Sequence, residues 1–364
     1  MIDLAIPTIE NKTINMKHKK LKPKILSVCG GNGSWLYPMK EYLVANIEPR
    51  ALFSTPNDVQ WRTNFGKRVK LYNHIQPSEI VPAQVIVGAP DCGSSSMMAL
   101  TRAKKLSDPL NNESFTAFFN QIRESKPEIF FMENLPKSRP YIESIDWLKE
   151  DYHLHFLVKS VTFFGNSQVG RVRLIVMGIC KDFKINHKLI WKHITKQPEY
   201  PIKTTKELLK GLSGKNYNFR TGHITEPLDS VITIYAGKKM SLVDIKKYWE
   251  KDMIQKRFLT QDRKYTSAPG VYRNIPSEYP QVARKSNRQF NPRGYQMSPR
   301  ELARIQGIPD SFKIVAYKKY SNRDMGYWIN KGRTTVAKCP PYEVGLWMLW
   351  ALKWIYNHKK LSIK

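Results

Sequence analysis

Short apolar runs separated by polar and glycine-rich stretches mark the first half of the chain, and they predict strands. Residues 24–33 read as a strand running at once into the turn Gly30-Gly-Asn-Gly33. Residues 42–48 read as a second strand ending in Glu48, and residues 69–75 as a short third. At Val85-Ile-Val-Gly88 four apolar or small residues lead into Pro90, Asp91 and Cys92 and then a Gly-Ser run, a buried strand with a loop at its tip. Residues 127–136 form a buried strand with Glu133 and Asn134 at its end, and residues 154–162 and 171–180 are two more strands. Between them, Phe115, Phe118, Phe119 and Ile122 recur at helical spacing, and residues 141–151 are also predicted helical. Strand–helix alternation up to about residue 182 predicts an α/β domain built on a doubly wound, mostly parallel sheet.

The pattern changes at residue 183. Through residue 264 the periodicity weakens, and lysines alternate with turn residues and aromatics such as Trp191, Tyr200, Tyr217, Tyr235 and Trp249. This stretch is predicted to be a second, smaller domain. Residues 265–364 return to strong patterning. A helix is expected with Ser298 as N-cap, Pro299 in its first turn, Glu301 completing a capping box and Gly307 stopping it. Residues 342–358 form an apolar, tryptophan-rich helix that must be buried against the main domain. Residues 1–23 are polar and lysine-rich, a basic arm. No apolar run approaches the roughly 20 residues of a membrane span.

Charge narrows the choice of partner. Lysine and arginine number 60 against 30 acidic residues, a formal net charge of +30. Such an excess favours a polyanion, nucleic acid before an anionic membrane, although a lysine-rich proteome would also raise it. The four cysteines, Cys29, Cys92, Cys180 and Cys339, show no pair spacing, which fits a reducing compartment without a disulfide framework or zinc site. Nothing suggests an oligomer interface, so a monomer is expected. In open α/β sheets ligands collect beyond the carboxyl ends of strands. A glycine-rich first turn with an acid ending the next strand is the pattern that holds a ribose by its hydroxyls; an ordinary tight turn and a surface glutamate give the same pattern. A cysteine at a strand tip is a nucleophile where its surroundings favour the thiolate, and otherwise an inert buried residue.

The order of the strand-tip residues brings these pieces together. The glycine turn, the acid after strand two, Pro-x-Cys and Glu133-Asn134 precede Gln168-Val-Gly-Arg171-Val-Arg173, and Ser298-Pro-Arg-Glu-Leu-Ala-Arg-Ile-Gln-Gly-Ile-Pro-Asp-Ser-Phe312 follows. In this the chain resembles the cytosine-5 DNA methyltransferases over about residues 24–182 and 265–358. The resemblance implies a Rossmann-like class I methyltransferase domain formed by residues 24–182 and completed by residues 265–364. Residues 183–264 would then be the target-recognition domain. It implies S-adenosyl-L-methionine as cofactor, bound by Gly30, Gly31, Gly33, Glu48, Asn73 and Pro90. Double-stranded DNA is the implied partner, in the cytoplasm of a bacterium or a phage-infected cell, with a role in restriction-modification or phage DNA modification. Cys92 is the implied nucleophile, Glu133 the acid at N3 of the base, and Arg171 and Arg173 the holders of its oxygen.

The chemistry asks for these residue types. Carbon 5 of cytosine is a poor nucleophile until a thiolate adds at carbon 6 and makes it an enamine carbon. Addition builds negative charge at N3, where a carboxylic acid and guanidinium groups are useful. The base must leave the stack to be reached. The chain also departs from the family: Pro90-Asp91-Cys92-Gly93 stands for Pro-Pro-Cys-Gln, the Gln168–Arg171 spacing is one residue longer, Tyr72-Asn-His-Ile stands for Gly-Asp-Ile, and the late Gly-Asn-x-Val-Pro-Pro pattern is stretched between Asn330 and Pro341. Two other readings stay open: a non-catalytic DNA-binding relative, and a methyltransferase acting on tRNA or a modified cytosine.

Overall fold

The structure is a computed structural model that describes residues 23–48, 54–73, 80–91, 112–168, 170–196, 201–212, 231–235, 238–239, 272–273, 280, 289–290, 299–318, 336–337 and 339–358. Seven strands make one sheet: β1 (Ile25–Val28), β2 (Leu43–Glu48), β3 (Lys70–Asn73), β4 (Val85–Gly88), β5 (Ile129–Asn134), β6 (Tyr152–Ser160) and β7 (Val172–Cys180). Their order is β3-β2-β1-β4-β5-β7-β6. The first five are parallel, and β7 runs antiparallel to both neighbours. The sheet is thus the mostly parallel one expected from the sequence. Its reversed strand has a local cause: only a short 3₁₀ turn (Val161–Phe164) and a loop link β6 to β7, too little chain for a parallel crossover. The chain winds outward from β1 to β3 and then returns to β4 beside β1, which leaves a crevice at the carboxyl ends of β1 and β4.

The period of two sorts the strand residues onto two buried faces. Ile25, Val85, Val87, Ile129, Phe131, Ile175, Met177 and Ile179 face one core. Leu26, Val28, Ala45, Ile47, Ile86, Phe130, Met132, Leu174 and Val176 face the other. Helix α2 (Glu113–Ser125) covers the second face with Phe115, Phe118, Phe119 and Ile122. It starts at Asn112, whose side chain accepts from the Ser114 amide, and stops at Lys126, which takes the left-handed conformation. Burying those four side chains contributes about 1.5–3 kcal/mol each. Residues 141–151 do not form one helix; two short helices, Arg139–Glu143 and Asp146–Asp151, meet at residues 144–145.

The first face is closed by segments distant in sequence. Helix α1 (Ser54–Phe65) contributes Trp61 and Phe65, the 3₁₀ turn Ser34–Met39 contributes Trp35 and Leu36, and the last helix, Tyr342–His358, contributes Val344, Trp347, Met348 and Leu352. Trp347 packs edge-on to Phe131 and Phe164. Gly345 lies against the Trp35 carbonyl, where any side chain would collide. The expected burial of the tryptophan-rich helix is therefore found. Helix α3 (His187–Ile194) also joins this core through Ile190 and Ile194, followed by Leu209 and Leu212. Residues 183–196 and 201–212 pack with the sheet domain, and Trp191 stacks on His155 of β6 at 4.8 Å. Farther on, β8 (Val231–Tyr235) pairs with β9 (Lys238–Lys239), and β10 (Tyr272–Arg273) with β11 (Gln289–Phe290). Helix α4 (Pro299–Ile305) leads to β12 (Ile314–Lys318), which runs parallel to β8. We label Tyr342–His358 α5. The cap expected at Ser298 lies outside the described residues, as do residues 1–22 of the basic arm. Among the described residues no helix is long and apolar enough to cross a membrane.

Four histidines and two tryptophans tie α3 to its neighbours. His153 stacks on His187 with ring centroids 3.7 Å apart, and His155 Nε2 lies 3.1 Å from His187 Nδ1. His193 stacks on Trp354 of α5. Burial pushes His155 down to about 4 and lowers His153, His187 and His193; neighbouring imidazoles and Lys181 and Lys188 add to this. A histidine depressed in the folded state takes up its proton first in the unfolded chain. Stability is therefore whole above about pH 6.5 and is lost as pH falls towards 4. Allowing for solvent at the rings, His155 accounts for about 1–2 kcal/mol of this loss. Urea unfolding of wild type and His155→Phe, which keeps a ring against Trp191, should show that part of the slope between pH 7 and pH 5 missing in the variant.

Candidate active site

The glycine turn is held from inside. Cys29, the residue after β1, is in the left-handed region at φ 58°, and Gly31 and Gly33 follow at 62° and 79°. A side chain at Gly30 would meet Asn46 Oδ1 and Ser27 Oγ, and one at Gly33 the Phe65 and Trp61 rings. Gly30 N–H donates to Asn46 Oδ1 at 3.2 Å and Gly31 N–H to Glu48 Oε1 at 2.7 Å. Two indoles fix the other side of the turn: Trp35 Nε1 donates to the Gly30 carbonyl at 3.1 Å and Trp61 Nε1 to that of Gly31 at 2.9 Å. Glu48, also bonded by Asn46 Nδ2 at 3.1 Å, is pushed up to about 7 by burial, against those hydrogen bonds. The predicted residues Gly30, Gly31, Gly33 and Glu48 are thus brought together at the tips of β1 and β2. Asn73 pairs with Glu48 in the β2–β3 register; nothing is described of its side chain.

A second set meets at the tips of β4, β5 and β7. Because β7 runs against β5, its first residues lie beside the carboxyl end of β5, with Ile175 opposite Glu133. The period of two puts Glu133 and Arg173 on one face, and Arg173 Nε pairs with Glu133 Oε1 at 2.8 Å. The next residue, Asn134, donates its amide to the Pro90 carbonyl at 3.0 Å and so ties the β4 tip to the β5 tip. Asp91 is exposed. Cys92 lies outside the described residues, two positions beyond this clasp.

Arg171 sits elsewhere than its sequence role suggests. It is 3 % exposed, and its guanidinium donates to Gln306 Oε1 at 3.0 Å, Gln168 Oε1 at 3.2 Å and the Cys339 carbonyl at 2.8 Å. Gln168 Nε2 donates to Asn166 Oδ1 and to Gln306 Oε1, both at 2.9 Å, and Asn166 Nδ2 to the Ile305 carbonyl and Glu343 Oε2. This network joins the loop before β7 to α4 and α5. The two arginines are therefore separated: Arg173 stands at Glu133, and Arg171 is built into the domain. Arg300 and Arg304 are also structural. Arg300 donates to the Pro309 and Phe312 carbonyls, and Arg304 pairs with Asp310, folding residues 308–312 back on α4. Asn46, Trp35, Trp61 and the partners of Arg171 were not singled out in the sequence; their shared signal, polar or indole groups on apolar segments, is too common to select them.

Glu343 records how closed this network is. Burial of its carboxyl pushes it up to about 7, although Asn166 bonds the charged form and Lys203 and Arg171 favour it. A raised carboxyl holds its proton in the folded state between about pH 4.5 and 7 while the unfolded chain has released it, so stability falls as pH rises through that window. Replacement by glutamine keeps an acceptor for Asn166 without the charge. Glu343→Gln should gain about 1–2 kcal/mol over wild type at pH 8 and little at pH 4.5, read from urea unfolding at the two pH values.

Residues 60–327 match the family of C-5 cytosine-specific DNA methylases. The type II methyltransferase M.FnuDI of Fusobacterium nucleatum is 24 % identical over 320 residues, spanning 84 % of this chain and 88 % of that protein. Among solved structures, an E. coli prophage-encoded chain assigned as a DNA modification methyltransferase superposes with a TM-score of 0.59 at 15 % identity, covering 92 % of this chain and 99 % of that one. The S. pombe Dnmt2 methyltransferase superposes with a TM-score of 0.53 at 13 % identity over 93 % and 99 % of the two chains. At these identities the superpositions establish the fold, the class I methyltransferase sheet with its antiparallel β7. The sequence match goes further, because it spans most of the chain and takes in the tips of β4, β5 and β7: the protein belongs to the C-5 cytosine-specific DNA methylase family, as a DNA (cytosine-5)-methyltransferase.

Proposed function

We propose that this enzyme methylates carbon 5 of a cytosine flipped out of double-stranded DNA, through a covalent adduct of Cys92 at carbon 6. The observation that carries the reading is the Glu133–Arg173 pair, enclosed beside a β4 tip that Asn134 clasps two residues before Cys92. A carboxyl and a guanidinium so placed can hold N3 and the oxygen of a cytosine while the thiolate adds. Addition forms the sulfur–carbon bond at carbon 6 and moves the electron pair towards carbon 5, with N3 taking a proton or hydrogen bond from Glu133. After methylation a base takes the carbon 5 proton, the sulfur–carbon bond breaks with its electron pair returning to sulfur, and N3 gives its proton back to Glu133, which restores the ring and the thiolate. Arg171 acts at one remove, holding the start of β7 in place.

The crevice suits S-adenosyl-L-methionine, which supplies an electrophilic methyl group when bound. The fit rests on the donor set. Glu48 offers carboxyl oxygens, already oriented by Gly31 and Asn46, to a pair of ribose hydroxyls at the tip of β2, beside the turn from Gly30 to Gly33. Asn73 and Pro90 flank that crevice from β3 and β4. DNA would be read by residues 213–264, the basic and aromatic part of the expected recognition domain. Residues 183–196 and 201–212 serve as its base, because they are packed into the catalytic core.

Base-resolution sequencing of DNA from cells expressing the protein tests the reading. Modified cytosine in one short sequence context is expected with wild type and none with Cys92→Ala. Glu133→Gln should bind cofactor normally and turn over roughly 10²–10⁴-fold more slowly. Unmodified DNA beside well-expressed wild-type protein would overturn the proposal, and modified tRNA from the same cells would redirect it.

A further inference from the structure

One residue touches both the glycine turn and the arginine that holds the start of β7. Cys339 lies three residues before α5 and is 4 % exposed. Its thiol donates to Asn32 Oδ1, inside the glycine turn, at 2.8 Å. The same oxygen accepts the Ser34 amide at 2.9 Å, so Asn32 braces the turn from within. A Cβ on Gly31 would lie 3.5 Å from the sulfur. On its other side, the Cys339 carbonyl accepts Arg171 Nη2 at 2.8 Å and Gln306 Nε2 at 3.4 Å, and Gln306 Nε2 also donates to the Val336 carbonyl at 3.2 Å. The Arg171 carbonyl accepts the Val161 amide at 2.8 Å, immediately before the strand that carries Arg173.

We propose that Cys339 and Gln306 are positioning residues that couple the cofactor turn to the arginine at the base site, through the path Asn32, Cys339, Arg171, Arg173. Its first two links are buried hydrogen bonds, each of which costs its full desolvation when one partner shifts away, and its last is the backbone from Arg171 to Arg173, fixed by the Val161 amide. A buried guanidinium tolerates little displacement of its carbonyl acceptors, so a shift of the turn that moves Cys339 moves Arg171 as well. Burial raises the Cys339 thiol to about 11, so at neutral pH it remains the protonated donor that the contact with Asn32 requires. Coupling of this kind is reciprocal: filling the cofactor crevice steadies the start of β7, and loosening the arginine's acceptors weakens the grip on the cofactor. The inference rests on the cofactor reading above and extends it by assigning a role to residues outside the crevice.

The test measures binding of S-adenosylhomocysteine to the full-length protein by calorimetry, without DNA. Cys339→Val, which keeps the volume and removes the donor, should bind at least about fivefold more weakly than wild type, and Cys339→Ser, which keeps a donor, should recover most of the loss. Gln306→Leu, which touches Arg171 and not the turn, should also weaken binding, and the double variant should lose less than the product of the two single losses. Should either variant fail to fold, Asn32→Ala and Arg171→Lys probe the same two ends under the same criteria. Folded variants that bind as wild type, or losses that multiply independently, would overturn the coupling. Wild-type protein that does not bind S-adenosylhomocysteine would instead overturn the cofactor reading, and the coupling with it.

Discussion

A guanidinium that is almost fully buried organises this domain. A charge out of water must be met by oriented acceptors, or the fold bears a penalty of several kcal/mol. Arg171 is met by Gln168 from its own loop, Gln306 after α4 and the carbonyl of Cys339 before α5. Two of these three partners lie more than a hundred residues downstream. The charge can be satisfied only when the returning segment has folded back on the sheet. Docking of α4 and α5 and the geometry of the loop before β7 are therefore one requirement.

Strand reversal does the complementary work. Had β7 run parallel to β5, its first residues would lie at the far end of the sheet. Antiparallel pairing puts Arg173 at the carboxyl end of β5, beside Glu133, and the period of two gives both the same face. The acid and its partner are therefore consequences of a short connection between β6 and β7. The neighbouring Asn134 extends the arrangement to β4 and fixes the backbone from which Cys92 is carried.

Much of this was legible in the chain, for identifiable reasons. The apolar run of residues 129–132 and the spacing of Phe115, Phe118, Phe119 and Ile122 are local and strong, and the corresponding elements stand where the pattern put them. The glycine turn with Glu48 was legible because both features lie at the ends of apolar runs. The different fates of Arg171 and Arg173 were not, because adjacent odd positions look alike until one is known to precede the strand and the other to lie within it. The allegiance of residues 183–196 and 201–212 was hidden too: α3 buries just two isoleucines fully, and its histidines and tryptophan look like a polar, nucleic-acid-facing surface until His153 and His155 are found beneath them. The long helix of residues 141–151 failed for a simpler reason, since Ser144 and Ile145 break a pattern too short to demand continuity.

The burial of Trp347 has a consequence for synthesis on the ribosome. The indole sits between Phe131 and Phe164, in a core whose other walls are made long before it. Until α5 has left the exit tunnel, that face of the sheet is open and Arg171 lacks its carbonyl from residue 339. A nascent chain holding every strand of the sheet therefore still lacks a set active site. Completion of the site is thereby tied to the emergence of residues 339–358.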